Sequence, residues 1–173
     1  MANETPIRVT IITTGGTIAK TFDEAHGTLH NQRPVIEGIV AALRLPDLKL
    51  RYRHILSKDS LDLTNADRKL IADCVRTERD QADAVVIAHG TDTLAATGEL
   101  LCREFPDPRV PLILTGAMRP WEFRDSDALQ NLTEALLACR LASPGVYVAM
   151  HNRLLRFPGV VKDRDTLSFL RAC

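Results

Sequence analysis

The sequence predicts an α/β fold, a mainly parallel sheet flanked by helices, and three observations carry that prediction. Short apolar runs rich in β-branched residues recur along the chain. Between them lie longer stretches whose apolar residues return at helical spacing. The two patterns alternate, as they must when each strand is followed by a helix that crosses back over a parallel sheet.

Taken in order, the first strand is expected over Ile7 to Thr13, followed at once by Thr14-Gly15-Gly16-Thr17. The segment Lys20 to Arg33 has neither period and reads as a mobile loop, open to two roles: a lid over a site or a long connection. A helix is expected from Pro34 to Leu43 and a strand from Leu48 to Leu56. The helix Asn65 to Gln81 opens on Thr64 as an N-cap, with Asp67 in the third position as a near miss for a capping box. The strand Ala84 to Ala88, the helix Thr93 to Phe105 and the strand Val110 to Thr115 follow. The helix Ser126 to Ala142, the turn Ser143-Pro144-Gly145 and the strand Val146 to Met150 complete the pattern, and Lys162 falls beyond the last of these strands. Ligands of an open parallel sheet bind beyond the carboxyl ends of its strands. The loops at Gly15-Gly16, His89-Gly90-Thr91 and Gly116 to Pro120 are therefore expected to meet at one site.

The 173 residues suit a single domain with its own core. Lys plus Arg and Asp plus Glu each total 22, so the net charge is zero. That balance argues against nucleic acid and acidic membrane as partners and favours a small-molecule substrate. Cys74, Cys102, Cys139 and Cys173 are far apart without a C-x-x-C spacing and read as reduced thiols. No signal-peptide pattern opens the chain, and no apolar run approaches the roughly 20 residues that span a bilayer, so a cytoplasmic location is expected. No cluster of His, Cys and Asp has ligand spacing; neither a metal nor an organic cofactor is expected.

Three segments carry candidate chemistry. In Thr13-Thr14-Gly15-Gly16-Thr17 the paired glycines allow a sharp turn and leave the Thr17 hydroxyl facing a crevice; alone, the segment favours a tight turn or a phosphate-binding loop. In His89-Gly90-Thr91-Asp92-Thr93 a hydroxyl and a carboxylate adjoin at a strand end, which suits proton handling and capture of an ammonium group. The other reading is that Thr91 or Asp92 caps the next helix. His89 reads as a packed, hydrogen-bonded structural residue. Lys162 gains meaning from company, because a threonine hydroxyl needs a neighbouring base to become a nucleophile. A partly desolvated lysine can serve as that base.

With these residues in hand, the sequence resembles bacterial-type L-asparaginases and glutaminase-asparaginases. Thr14-Gly15-Gly16-Thr17-Ile18-Ala19 and His89-Gly90-Thr91-Asp92-Thr93 are similar to the family's two signatures. Gly116-Ala117-Met118-Arg119-Pro120, Ser126-Asp127 and Asn131-Leu132 resemble its next block, Asp59 to Leu63 loosely resembles its substrate-binding strand end, and Lys162 falls on the catalytic lysine. The resemblance implies that Thr17 attacks a side-chain amide to form an acyl-enzyme. It implies that Thr91, Asp92 and Lys162 act as a linked group, and that Ser60 and Asp92 hold the α-carboxylate and α-amino groups of L-asparagine. A related amidase acting on glutamine or a glutaminyl group on a larger carrier, and a non-catalytic amino-acid-binding module, are the alternatives.

Two departures stand out. The family's flexible loop supplies a tyrosine that Ala25 to His30 lacks, with Thr28 as the substitute by position. Leu61 stands where a polar residue often touches the substrate carboxylate. Family members also continue past the lysine into a smaller second domain, whereas this chain ends at Cys173. The chain is then either a natural short form or a fragment; the expectation is the short form, with weakened substrate affinity, assembled as a homo-oligomer that covers the surfaces the second domain would bury. Activity is expected to rise toward mildly alkaline pH, since only a neutral amine accepts a proton.

Overall fold

The computed structural model describes residues 5–31 and 35–172. Ile7–Gly15 forms β1, which pairs in parallel with β4 (Leu48–Lys58) on one side and β5 (Ala84–Ala88) on the other. The sheet continues through β6 (Pro111–Thr115), β7 (Gly145–Met150) and β8 (Arg153–Arg156) in the order β4, β1, β5, β6, β7, β8. Within this sheet only β8 runs antiparallel to its neighbour. The mainly parallel sheet flanked by helices is the architecture the alternating pattern predicts.

Why the strands read as continuous apolar runs follows from the layers. Val9, Ile11, Val86 and Ile113 face α1 (Val35–Ala41) and α4 (Ala128–Leu141), which contribute Ile36, Ile39, Leu132 and Leu136. The alternate residues Ile12, Val85, Ile87, Leu112 and Leu114 face α2 (Asn65–Glu78) and α3 (Leu94–Glu104), with Ile71, Val75, Leu94 and Leu101. Both faces are covered, so every strand position in β5 and β6 is buried. Each large side chain buried here contributes about 1.5–3 kcal/mol.

Three local features differ from what the sequence suggests. The segment after β1 is a hairpin, β2 (Lys20–Asp23) paired with β3 (Thr28–Asn31) around Gly27 at φ 65°. Its strands are largely exposed, so no buried face imposed an alternating pattern; positions 32–34, where the loop and the next helix are expected to join, lie outside the described residues. Thr64 and Asp67 do form a reciprocal capping box: the Asp67 N–H donates to Thr64 Oγ1 at 3.2 Å and the Thr64 N–H donates to Asp67 Oδ2 at 2.8 Å. Lys58 also reaches the Asp67 carboxylate, and this ammonium, then the Thr64 N–H, brings the carboxyl down to about 2. Finally, Lys162 lies on a strand, β9 (Val160–Asp163), in an antiparallel hairpin with β10 (Ser168–Arg171) outside the main sheet. Val160 and Phe169 anchor that hairpin in the α2–α3 layer. Two-residue periodicity then puts Lys162 on the same side as Val160.

Candidate active site

The chain leaves β1 toward β4 on one side and resumes on the other with β5, which makes the gap between the carboxyl ends of β1 and β5 the topological switch point. Two glycines let the loop after β1 enter this gap. Gly15 and Gly16 adopt φ 104° and 81°, and the Gly16 N–H donates to the Lys58 carbonyl at 3.0 Å. A Cβ on Gly16 would lie 2.4 Å from both the Cα and the N of Gly90. A Cβ on Gly116 would lie 2.4 Å from the His89 carbonyl oxygen and 3.2 Å from Thr91 Cγ2. The three glycine-bearing loops thus touch backbone to backbone, as expected, and Ser60 joins them: its Oγ would be 2.7 Å from a Cβ on Gly90.

Thr17 opens a 3-10 turn, Thr17–Ala19, whose Ile18 and Ala19 are buried and fix the partly exposed threonine in place. Thr91 is buried, and its Oγ1 accepts a hydrogen bond from Lys162 Nζ at 2.8 Å. The same ammonium donates to Asp92 Oδ1 at 2.7 Å. The lysine side chain is only 11% exposed against 37% for the carboxylate, so the amine is held inside and the acid faces the opening. Neither Thr91 nor Asp92 caps α3; its N-cap is Thr93, which uses its hydroxyl to bond the Ser60 carbonyl at 2.7 Å.

Ser60 is buried, and its Oγ has no hydrogen-bond partner among the described residues, a donor and acceptor left free. Asp59 presents it by capping the short 3-10 turn Ser60–Asp62. Lys20 Nζ donates to Asp59 Oδ2 at 2.6 Å, and this bond is the main reason the Asp59 carboxyl lies below the usual range. The structure thereby gathers Ser60, Thr91, Asp92 and Lys162, and the approach of Gly16 to Gly90 brings the loop that carries Thr17 beside them. Leu61 sits at the rim, 66% exposed. Thr28 is exposed on β3, and its hydroxyl pairs with His30 Nε2 at 2.7 Å.

Four supporting residues have roles that the sequence did not assign. Lys20 and Asp59 are one pair. Met118 Sδ accepts a hydrogen bond from Thr91 Oγ1 at 3.5 Å. Asp127 fixes the loop that carries Met118, accepting from the Met118 and Arg119 N–H groups at 3.0 Å. The available signal was position: Asp127 stands just before a helix and within reach of a glycine-led loop.

His89 is fully buried and structural. Its Nδ1 donates to the Gly90 carbonyl at 2.7 Å, so Nε2 accepts from the Thr97 hydroxyl at 2.9 Å and the ring is neutral. Burial is the main cause bringing this imidazole down to about 4 from 6.5. Between those values the unfolded chain binds a proton that the native protein refuses. This stability is complete above the unfolded value and is lost as pH falls toward the native one, by up to roughly 3 kcal/mol. Urea unfolding at neutral and acidic pH should show this slope, with His89→Gln losing that share of it. An unchanged slope would refute the assignment.

Among the described residues no cluster of His, Cys, Asp and Glu is arranged to hold a metal ion, and no helix is long and apolar enough to cross a membrane.

Comparison with known proteins matches residues 8–166 to the family model described as Asparaginase, N-terminal. The chain is 34% identical over 149 residues to an L-asparaginase of Thermococcus kodakarensis, covering 86% of this chain and 45% of that protein. It is 35% identical over 146 residues to a glutamyl-tRNA(Gln) amidotransferase subunit from Methanococcus maripaludis, covering 83% of this chain and 35% of that one. It therefore spans less than half the length of these relatives. Among solved structures, the thermostable L-asparaginase from Thermococcus kodakarensis superposes with a TM-score of 0.86 at 34% identity, over 95% of this chain and 51% of that chain. L-asparaginase I from Vibrio cholerae gives 0.83 at 28% identity, over 96% and 51%. The chain belongs to the asparaginase family, and what it shares with that family is the N-terminal part.

Proposed function

We propose that the chain hydrolyses the side-chain amide of L-asparagine to L-aspartate and ammonia through a threonine acyl-enzyme. The observation that carries this reading is the Lys162 amine, bonded at once to the Thr91 hydroxyl and the Asp92 carboxylate in the gap that Thr17 borders. Thr17 Oγ attacks the amide carbon, the C–N bond breaks as the amide nitrogen takes up the proton lost by the hydroxyl and leaves as ammonia, and an ester remains on Thr17. Thr91 and Lys162 then activate the water that cleaves the ester, with Asp92 holding the lysine in place. The unpartnered Ser60 hydroxyl and the exposed Asp92 carboxylate suit the α-carboxylate and α-amino groups, with Leu61 and Thr28 flanking them at the rim and on the hairpin. No metal or organic cofactor enters these steps. A single domain, a cytoplasmic location and a homo-oligomeric assembly complete the proposal; a solved relative described as a probable cytoplasmic L-asparaginase from Campylobacter jejuni agrees with the location.

The similarity to an amidotransferase component favours one second reading, the same chemistry on glutamine. One methylene is worth only about 1–3 kcal/mol of discrimination in a pocket. An ammonia-release assay on free asparagine and free glutamine decides between them: release from asparagine supports the first reading, and release from neither rejects it. Thr17→Ala is expected to keep less than about a tenth of wild-type kcat, a barrier increase above roughly 1.4 kcal/mol, with its circular dichroism unchanged.

The hairpin β2–β3 is placed to act as the lid. It is latched on both sides of the gap, by Lys20 to Asp59 and by the Phe22 N–H to Glu122 Oε2 at 2.7 Å. Amide exchange over Lys20–Asn31 should slow when aspartate is bound, and equal protection with and without aspartate would remove the lid from the proposal.

A further inference from the structure

The loop after β6 brings a methionine sulfur against the buried threonine. We propose that the Met118 thioether is an oxidation site, at which a peroxide converts it to the sulfoxide and stops turnover; the effect on rate rests on the amidase reading above.

In the reduced protein Lys162 donates to Thr91 Oγ1, so the threonine's own proton points the other way, to Met118 Sδ at 3.5 Å. A thioether is a weak acceptor, and the hydroxyl turns from it to a base or a water at little cost. A sulfoxide oxygen is a strong acceptor and would hold the proton. It would also add an atom between the two side chains, and the loop cannot swing away to make room. The Met118 and Arg119 N–H groups are tied to Asp127, whose Oδ2 is in turn bonded by Asn131 Nδ2 at 2.8 Å and by His151 Nε2 at 2.7 Å. The modification is therefore pressed onto Thr91.

The step balances without any other reactant. A sulfur lone pair attacks the distal peroxide oxygen, the O–O bond breaks as the S–O bond forms, and the departing hydroxide takes a proton to become water. Sulfur loses two electrons and the peroxide gains them.

Among the described residues, competing sulfurs are less available. Met150 is 3% exposed in the core, whereas Met118 is partly open to the gap. Burial pushes the Cys74 and Cys102 thiols up, and Cys139 to about 12, so little thiolate is present to react.

The test treats the purified chain with hydrogen peroxide, reading asparagine turnover and peptide masses from the same samples. One added oxygen should appear on the Met118 peptide before the Met150 peptide, and kcat should fall in parallel, by at least about tenfold at full conversion, with KM little changed. Dithiothreitol alone should not restore the rate, because it reduces oxidised thiols and not sulfoxides; methionine sulfoxide reductase with dithiothreitol should. Met118→Leu should keep most of its own untreated activity after the same exposure. Full conversion of Met118 with kcat unchanged, recovery with dithiothreitol alone, or equal sensitivity of Met118→Leu would each overturn the proposal. The peptide masses need no activity: preferential oxidation of Met150 defeats the proposal by itself, whereas absence of turnover before treatment rejects the amidase reading on which it rests. Should Met118→Leu not fold, reversal by the reductase in the wild-type chain carries the decision.

Discussion

Lys162→Met is expected to lower kcat by about 10²–10⁴ at every pH tested, the usual contribution of a positioned acid or base, while the fold survives. The two consequences differ in size for a physical reason. Removing the ammonium breaks an ion pair whose carboxylate is 37% exposed, and such a pair is worth only about 0–1 kcal/mol of stability. Met fills much of the space of the lysine stem, so the packing of β9 beside α3 is kept. What disappears is the only group bonded to both the Thr91 hydroxyl and the Asp92 carboxylate among the described residues. Methionine cannot take the hydroxyl proton, and the other side chain bonded to Thr91 Oγ1, Met118, offers only a thioether. Wild type and variant should be compared over a common pH range, with the deficit present throughout. Steady-state kinetics across that range, beside circular dichroism and thermal melting, checks both halves. A variant with wild-type rate and profile would end the proposed role of the Thr91, Asp92 and Lys162 group, even with asparaginase activity intact.

Gly16→Ala should damage stability and activity together. The added Cβ would meet the Gly90 Cα and N at 2.4 Å, and both are backbone atoms at the end of a fully buried strand. Neither can rotate out of the way as a side-chain tip would. The backbone at φ 81° and ψ 178° adds strain for any L side chain, roughly 1–3 kcal/mol, on top of about 1–3 kcal/mol for overpacking. A loss of about 3 kcal/mol is therefore expected in denaturant unfolding. Relief requires the loop after β1 to separate from the loop after β5, which moves Thr17 away from Thr91 and Lys162. kcat/KM should then fall by at least about a hundredfold, because sub-ångström placement governs reactions between fixed groups. The control is Gly38→Ala, in α1, where a Cβ meets nothing within 4 Å and both properties should be kept or improved. Wild-type stability and kinetics in Gly16→Ala would mean that the two loops do not depend on their close contact.

The strands and helices of the main sheet are legible in the chain itself, because burial on both faces leaves unbroken apolar runs in Ala84–Ala88 and Pro111–Thr115 and helical spacing between them. The loops that meet are legible too, since a strand end followed by glycine and hydroxyl residues announces both the turn and its chemistry. The hairpin after β1 and the β9–β10 hairpin were hidden, because exposed or isolated short strands have no second face to imprint a period. Which way Thr91 and Asp92 turn is fixed in three dimensions alone. In sequence either side chain was free to cap α3, and in space Lys162, 70 residues from Asp92, claims both. Long-range packing likewise left Ser60 Oγ unpartnered and set Met118 against Thr91 through the Asp127 clamp. These are distances between groups on different strands. Local sequence sets the conformation of each loop, and the register of the sheet sets the distances between them.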